Sequence, residues 1–169
     1  MIFRAIAILC GFGLLGVAGQ SAACSRVGGP PTLEASITDA DEIFVAHLDS
    51  AAEKTLPVEP GADLNEDDLF EMQGVEGRYT LIEVLKGAPP AKGVVDDLPF
   101  GLGNCSLGLM PGWDYVFFVK HDARRPEYRW VGMFSGSFPL GPYRRPGEEE
   151  PGLQELKQKI NQQTTTPTP

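Results

Sequence analysis

Glycine and proline interrupt this chain so often that long helices are disfavoured over most of its length. The sequence has 20 Gly and 15 Pro among 169 residues. Gly disfavours helix interiors because of its backbone freedom, and Pro because it has no amide proton to donate. The stretches between them are short, and several are rich in β-branched and aromatic residues. The pattern therefore predicts short strands joined by turns, in a small barrel or sandwich.

Five segments between these turns have the composition of β-strands. They are Glu42–Asp49, Arg78–Lys86, Val94–Leu98, Trp113–Val119 and Tyr128–Phe134. Apolar residues on both faces of the first segment predict a strand that is covered on both sides for part of its length. The second segment is expected to end at Gly87, ahead of Pro89 and Pro90. The long polar stretch from Ala51 to Glu76 is predicted to be a loop.

Two helices are expected, one on each side of this β region. Apolar residues at helical spacing mark them, namely Leu33, Ile37 and Ala40 in the first and Leu153, Leu156 and Ile160 in the second. Thr32 can cap the first helix, and Pro151 suits the first turn of the second. We expect the second helix to cover the barrel with its apolar face. Residues 164–169 are predicted to be a disordered tail.

The first 23 residues have the order of charge, apolar core and small residues that is typical of a secretory signal peptide. Arg4 precedes an apolar run that is too short for a membrane span. The small side chains of Ser21–Ala23 suit a signal peptidase cut before Cys24. We therefore expect a periplasmic or secreted protein whose single folded domain occupies residues 24–163.

The two cysteines of the predicted mature chain, Cys24 and Cys105, leave two alternatives open. Cysteines of an exported protein are normally paired, so a disulfide between these two residues is the first expectation. The competing alternative is a lipoprotein, in which Cys24 follows a lipobox and carries a membrane anchor. Ala22 and Ala23 fit such a box, whereas Ser21 stands where an apolar residue is usual. A sulfur bonded to lipid cannot also form a disulfide, so the two alternatives exclude each other.

Motifs for catalysis are missing from the sequence. His47 and His121 are the only histidines, and the sequence indicates no acid–base partner for either. The run Asp63–Asp67 resembles the start of a calcium-binding loop, but the required glycine and terminal glutamate do not follow. The net charge of −9 opposes binding to nucleic acid. We therefore expect a binding protein that is not an enzyme and has no cofactor.

Five short motifs follow one another between residues 24 and 119. They are Cys24–Ser25, Ala40–Ala46, Tyr79–Gly87, Cys105 and Gly112–Phe117. Together they resemble the tissue inhibitor of metalloproteinases and netrin-like module family, in its small bacterial form. The resemblance implies an all-β protein with a five-stranded OB-fold barrel, a short N-terminal helix and a C-terminal amphipathic helix.

The resemblance also implies a function for the predicted N-terminus. In that family, the N-terminal cysteine presents its amine and carbonyl to the catalytic zinc of a protease. Carried over, Cys24 contacts a partner's zinc through its backbone, Ser25 enters the specificity pocket, and Cys105 is the disulfide partner. The loop predicted over Ala51–Glu76 occupies the place of a loop that extends the protease contact. We therefore expect a monomeric inhibitor of a zinc metalloprotease. The alternative is an envelope lipoprotein, anchored at Cys24, which binds another envelope protein or has a structural role.

Overall fold

The structure, a computed structural model, describes residues 31–56, 72–98, 106–121, 128–132, 135–142 and 150–165. The elements in chain order are α1 (Leu33–Asp39), β1 (Glu42–Leu56), β2 (Met72–Lys86), β3 (Lys92–Asp97), β4 (Asp114–Val119), β5 (Phe138–Gly141) and α2 (Pro151–Thr165). The protein is mostly β, with five antiparallel strands in one sheet and two helices. Over the described residues this sheet is not closed as a barrel. Neither helix there has the length and apolar character that a bilayer crossing requires.

The sheet has the strand order β3-β2-β1-β4-β5 and is built around one long hairpin. β1 and β2 are 15 residues each, and they pair as far as Leu56 and Met72. The predicted loop over Ala51–Glu76 was wrong at both of its ends, which continue the two strands. Polar composition indicated a loop, but backbone hydrogen bonds between antiparallel strands form whatever the side chains are. The acidic run Asp63–Asp67 lies outside the described residues.

The fifth strand comes later in the chain than predicted. β5 pairs with β4 at the edge of the sheet. The predicted strand Tyr128–Phe134 is not a strand over its described part, residues 128–132. It forms a single parallel bridge there, between Trp130 and Asp96 of β3. β5 escaped prediction because it contains Pro139 and Gly141, which interrupt strands except at edges.

Both faces of the sheet bury apolar side chains. One face packs against the helices and consists of Ile43, Val45, Val116, Phe118 and Leu140, in contact with Ile37, Leu153 and Leu156. The other face consists of Phe44, Ala46, Leu48, Tyr79, Val95, Tyr115, Phe117, Val119 and Val131. Alternate residues of β1 therefore enter two different cores. This confirms the prediction that β1 is covered on both sides.

α2 packs its apolar face on the sheet, as predicted. Leu153 and Leu156 are fully buried, and Ile160 packs against the same core. The helix continues to Thr165, so it includes two residues of the predicted tail. The rest of that tail, residues 166–169, lies outside the described residues.

α1 begins after Thr32, as its spacing predicts. Thr32 Oγ1 accepts a hydrogen bond from the Ala35 amide at 3.2 Å. At the other end, Lys86 Nζ of β2 donates to the carbonyl oxygens of Ile37 at 2.7 Å and Ala40 at 2.5 Å. Side chains therefore satisfy backbone groups at both ends of this short helix.

Replacing Thr32 with alanine is expected to lower the free energy of unfolding by about 1 kcal/mol, because the Ala35 amide loses its acceptor. Thr38→Ala is the matched control, since Thr38 Oγ1 donates to the Glu34 carbonyl within the helix and the structure shows it capping no amide of a described residue. That change should stay within about 0.5 kcal/mol. Urea unfolding followed by circular dichroism measures both, and equal losses would contradict a capping role for Thr32.

β2 ends at Lys86, directly before Gly87, as predicted. Gly87 has a φ of 77°, a conformation that other residues rarely adopt. A Cβ at this position would also lie 2.5 Å from the Asp41 carbonyl oxygen. The turn after β2 therefore requires glycine.

Candidate functional site

The predicted site residues Cys24, Ser25 and Cys105 lie outside the described residues. The described chain resumes at Ser106, which follows Cys105 directly. The contacts of Ser106 therefore show how the chain is held at the first position after the predicted disulfide.

Ser106 is bound to Asp97, the last residue of β3. The Asp97 side chain is fully buried, and its Oδ2 accepts hydrogen bonds from Ser106 Oγ at 2.9 Å and from the Gly108 amide at 3.1 Å. The Gly108 amide also donates to Ser106 Oγ at 3.0 Å. Asp97 Oδ1 is buried and has no hydrogen-bond partner among the described residues. A carboxylate removed from water depends on such bonds, so Asp97 and the turn over residues 106–108 hold each other in place.

Tyr115 of β4 holds the next residues of the same segment. Its hydroxyl donates to the Gly108 carbonyl at 2.9 Å and accepts from the Met110 amide at 2.7 Å. Burial raises the pKa of Tyr115, and the negative charge of Asp97 raises it further. The hydrogen bond from the Met110 amide lowers the pKa, but the net effect is an increase. The phenol therefore stays protonated at neutral pH and can donate its hydrogen bond. Two buried side chains of the sheet thus fix residues 106–110.

The outer half of the β1–β2 hairpin lies beside this segment. Asp97 pairs with Val75 of β2, which in turn pairs with Glu53 of β1. The approach is close, because a Cβ on Gly77 would lie 2.8 Å from the side chain of Leu109. We call these neighbouring parts the anchor region, which consists of Asp97, residues 106–110 and hairpin residues 51–56 and 72–78.

Asp96 joins the outer edge of β3 to the chain that precedes β5. Its amide donates to the Arg129 carbonyl at 2.8 Å, and its carbonyl accepts from the Val131 amide at 3.0 Å. Its buried carboxylate accepts from the Arg129 amide and from Lys54 Nζ of β1, both at 3.0 Å. Desolvation lowers the pKa of Lys54, but the hydrogen bonds and charges of Asp96 and Glu76 together more than offset this, so the pKa is raised. One carboxylate thus links β1, β3 and the segment before β5.

The side chain of Arg129 belongs to a second buried polar group, beside Phe44 and Tyr79 of the aromatic core. Its guanidinium donates to Glu42 of β1 and to the Tyr79 hydroxyl at 3.3 Å, and it lies 5.9 Å from the ring centroid of Phe44. Burial lowers the pKa of Arg129 and raises the pKa of Tyr79 to about 12. His121 Nε2 lies 3.6 Å from the other oxygen of Glu42. The cluster pairs its charges internally, which is typical of a structural ion pair.

The structure supplies the partner of His47 that the sequence did not indicate. His47 Nδ1 lies 2.8 Å from Asp114 Oδ1, 67 residues away in the chain and opposite it on β4. Thr80 is the residue opposite His47 on β2. Its hydroxyl does not bind the His47 ring, because it donates to Asp49 at 2.8 Å. Within the part of the chain that the structure describes, no three His, Cys, Asp or Glu side chains are placed to hold a metal ion. His47 and Asp114 therefore form a cross-strand pair on the sheet surface.

No protein-family model matches the chain, and no curated protein matches it. The class that the fold defines is a mostly β protein with one five-stranded antiparallel sheet and two helices packed on one of its faces. Within that class, the anchor region is the candidate functional site, because it contains the residues that directly follow Cys105, one of the two cysteines of the predicted disulfide.

Proposed function

We propose that this protein is an exported, non-enzymatic binding module with an OB-fold barrel, and that it inhibits a zinc metalloprotease through Cys24. In this proposal Cys24 forms a disulfide with Cys105, and its backbone amine and carbonyl bind the partner's zinc. Ser25 enters the adjoining specificity pocket. The protein acts as a monomer and needs no cofactor of its own.

The strand order supports the OB-fold part of the proposal. β3 and β5 are the two edges of the described sheet, and the bridge between Asp96 and Trp130 joins β3 to the residues that precede β5. Closing the sheet along that line would give a five-stranded barrel. Its interior would be the core around Phe44, Tyr79 and Phe117, whose ring centroids lie 5.0 to 6.1 Å apart.

The anchor region is the single observation that carries the inhibitory part. Asp97 and Tyr115 hold residues 106–110 by hydrogen bonds, so the chain directly after Cys105 is fixed beside the hairpin. A disulfide from Cys105 would tie Cys24 to this fixed point. A wedge that is held in this way loses less entropy when it binds. The long hairpin adds a second surface beside the wedge, where the resemblance implies an extended protease contact.

The chemistry of the proposal depends on a free α-amine at Cys24. An amine and a carbonyl on one residue can chelate zinc in a five-membered ring. Catalytic zinc sites keep one coordination position open for water or substrate, and the wedge would occupy it. A cut directly before Cys24 is required, because any preceding residue converts the amine into an amide that cannot bind zinc.

Adding one alanine before Cys24 of the mature chain is expected to abolish inhibition. The measurement is the inhibition constant against the catalytic domain of a matrix metalloproteinase, for chains released with and without the extra residue. We expect an increase of at least about 100-fold, which corresponds to about 3 kcal/mol for the lost zinc ligand. Ser25→Ala is the control, because it keeps the amine and should change the constant by less than about tenfold, or about 1.4 kcal/mol. Unchanged inhibition by the extended chain would overturn the mechanism.

The intact mass of the exported protein, before and after reduction and thiol alkylation, separates the inhibitor from the lipoprotein. We expect a chain that starts at Cys24, carries no lipid and is lighter by the two hydrogens of one disulfide. A diacylated or triacylated Cys24 with a free thiol at Cys105 would overturn the inhibitory mechanism. The protein would then be an envelope-anchored interaction module.

A further inference from the structure

We propose that the free edge of β1, from Ser50 to Leu56, binds an extended segment of a partner protein as an added β-strand. The segment that fits is basic, with lysine or arginine alternating with β-branched residues. We call this part of the strand the β1 edge. The inference goes beyond the proposed function, because it depends neither on the cysteines nor on a protease.

β1 has a neighbour on both sides only along its first half. β4 pairs with Glu42–His47, and Leu48 still exchanges backbone hydrogen bonds with Trp113 and Gly112, at 2.8 and 2.7 Å. The chain then leaves β1 at Gly112, which has a φ of 84°. β2 continues beside β1 as far as Leu56. Among the described residues, no strand lies on the other side of the β1 edge. Its outward backbone groups can therefore pair with an added strand, in the place where β4 would continue.

The β1 edge lacks the features that commonly protect a free edge, namely bulges, prolines and outward lysines. Its register with β2 is regular from Ser50 to Leu56, and no proline occurs in this stretch. Its one lysine, Lys54, is bound to Asp96 at 3.0 Å and Glu76 at 3.5 Å. The ammonium group is thus held over the sheet and leaves the backbone of the edge accessible.

The other edges of the described sheet carry such protection. β2 has two register irregularities between Leu81 and Lys86, where β3 no longer pairs with it. β5 is short and contains Pro139. The outer edge of β3 is bonded through Asp96 to the segment that precedes β5. Among the described edges, the β1 edge is therefore the best suited to strand addition.

Charge at the β1 edge favours a basic partner. Asp49 precedes this edge and Glu53 lies within it, and both are exposed. The Asp49 carboxylate accepts a hydrogen bond from a neutral hydroxyl, that of Thr80, at 2.8 Å. The structure gives Glu53 no ion pair among the residues it describes, whereas the charge of Lys54 is paired. The edge is thus negative, like the whole chain with its net charge of −9, and lysine or arginine in the added strand complements it.

The side chains around the β1 edge leave room for β-branched residues between these cations. Ala51 and Ala52 are small, so an added strand can pack its own larger side chains over them. Met110 is 52% exposed and lies where the chain leaves β1, since its carbonyl accepts the Trp113 amide at 3.2 Å. This apolar side chain is available to a valine or isoleucine of the partner. Backbone pairing then supplies affinity, and alternate side chains supply specificity.

The probe is a fluorescent, end-capped peptide of alternating lysine and valine, about six residues long like a common strand. Fluorescence anisotropy with the purified exported protein measures its Kd, and hydrogen exchange followed by NMR locates it. We expect saturable binding and slower exchange at alternate amides of residues 50–56. A Kd weaker than about 1 mM, or binding without protection of these amides, would overturn the inference.

Two N-methylated versions of the peptide test backbone pairing directly. Each carries methyl groups on one of the two alternating sets of amides, and only one set of an added strand faces β1. Methylation of the facing set should raise the Kd by at least about 100-fold, and methylation of the other set by less than about threefold. Equal losses would show that side chains alone bind the peptide, which contradicts strand addition.

Glu53→Lys tests the choice of a basic partner. It should raise the Kd of the peptide at least about fivefold at low ionic strength, because attraction becomes repulsion. Glu155→Lys is the matched control, since it makes the same change of charge at an exposed position of α2 and should stay within about twofold. Equal effects of the two variants would contradict the basic partner.

Sedimentation of the protein alone distinguishes a partner segment from a second copy of this chain. We expect a monomer whose amides at residues 50–56 exchange equally fast at all protein concentrations. A dimer that protects these amides and is dissociated by the peptide would overturn the proposed partner.

Discussion

Asp96→Ala is expected to lower the free energy of unfolding by about 2–4 kcal/mol. The substitution leaves Lys54 Nζ and the Arg129 amide without the acceptor that each now has at 3.0 Å. Asp96 is only 1% exposed, so water cannot easily take the place of the carboxylate. Urea unfolding followed by tryptophan fluorescence measures the loss, since Trp130 lies at the bridge to Asp96.

Two variants test whether this loss comes from the linking role of Asp96. Asp96→Asn keeps an oxygen for the Arg129 amide but removes the charge that pairs with Lys54, so it should cost less than Asp96→Ala. Asp49→Ala removes an exposed aspartate that binds Thr80, and it should stay within about 0.5 kcal/mol. A loss of less than about 1 kcal/mol for Asp96→Ala would contradict the idea that this carboxylate links β3 to the chain before β5.

Phe117→Ala is expected to lower the free energy of unfolding by about 3–5 kcal/mol, as large-to-small changes in packed cores do. Phe117 is fully buried, and its ring lies 5.3 Å from that of Tyr115, 5.7 Å from Phe44 and 6.1 Å from Tyr79. Removing the Phe117 ring leaves a cavity among these three aromatic side chains, and the lost packing adds to the lost burial. The same urea titration measures the effect.

Ile82→Ala is the control for Phe117→Ala. Ile82 is on β2 but is 49% exposed, so the loss should stay below about 1 kcal/mol. Phe117→Leu fills much of the space and should fall between the two. Equal losses for Phe117→Ala and Ile82→Ala would show that this face of the sheet is not a packed core. That result would also remove the support that this core gives to the proposed barrel.

The sequence correctly predicted features that depend on neighbouring residues, such as a helix cap, a turn glycine or a run of apolar residues. Thr32 and the spacing of Leu33 and Ile37 predicted α1, and the structure begins that helix at Leu33. Gly87 predicted the end of β2, since its positive φ is a local requirement of the turn. Apolar residues at consecutive positions of β1 predicted cover on both faces, because successive side chains of a strand point in opposite directions.

Two strand predictions failed where local composition and long-range pairing disagreed. The outer half of the hairpin is polar, for example at Glu53 and Lys54, and was predicted to be a loop. It is a strand because β1 and β2 pair along their whole length. β5 was missed for a related reason, since Pro139 and Gly141 indicate a turn and only pairing with β4 makes the segment a strand. β-structure depends more on such partners than helices do.

The candidate site, like the fold, was predicted from the sequence only in part. The sequence indicated Cys24 and Cys105 as a pair, because a signal peptide was predicted and the cysteines of an exported chain are normally paired. The sequence did not indicate that Asp97 is buried and binds Ser106. It also did not indicate that Asp96 joins β3 to the segment that precedes β5. A carboxylate at the end of a short strand has the same local pattern whether it is solvated or buried.

Sequence alone was sufficient for the mostly β class, the two helices and the turn at Gly87, because caps, periodicity and breakers act on neighbouring residues. Tertiary structure decided which polar groups are buried and what they bind. Lys54 and Asp96 are 42 residues apart, and His47 and Asp114 are 67 residues apart. Contacts between such distant residues exist only after the sheet has formed, so they cannot be predicted from the pattern of neighbouring residues.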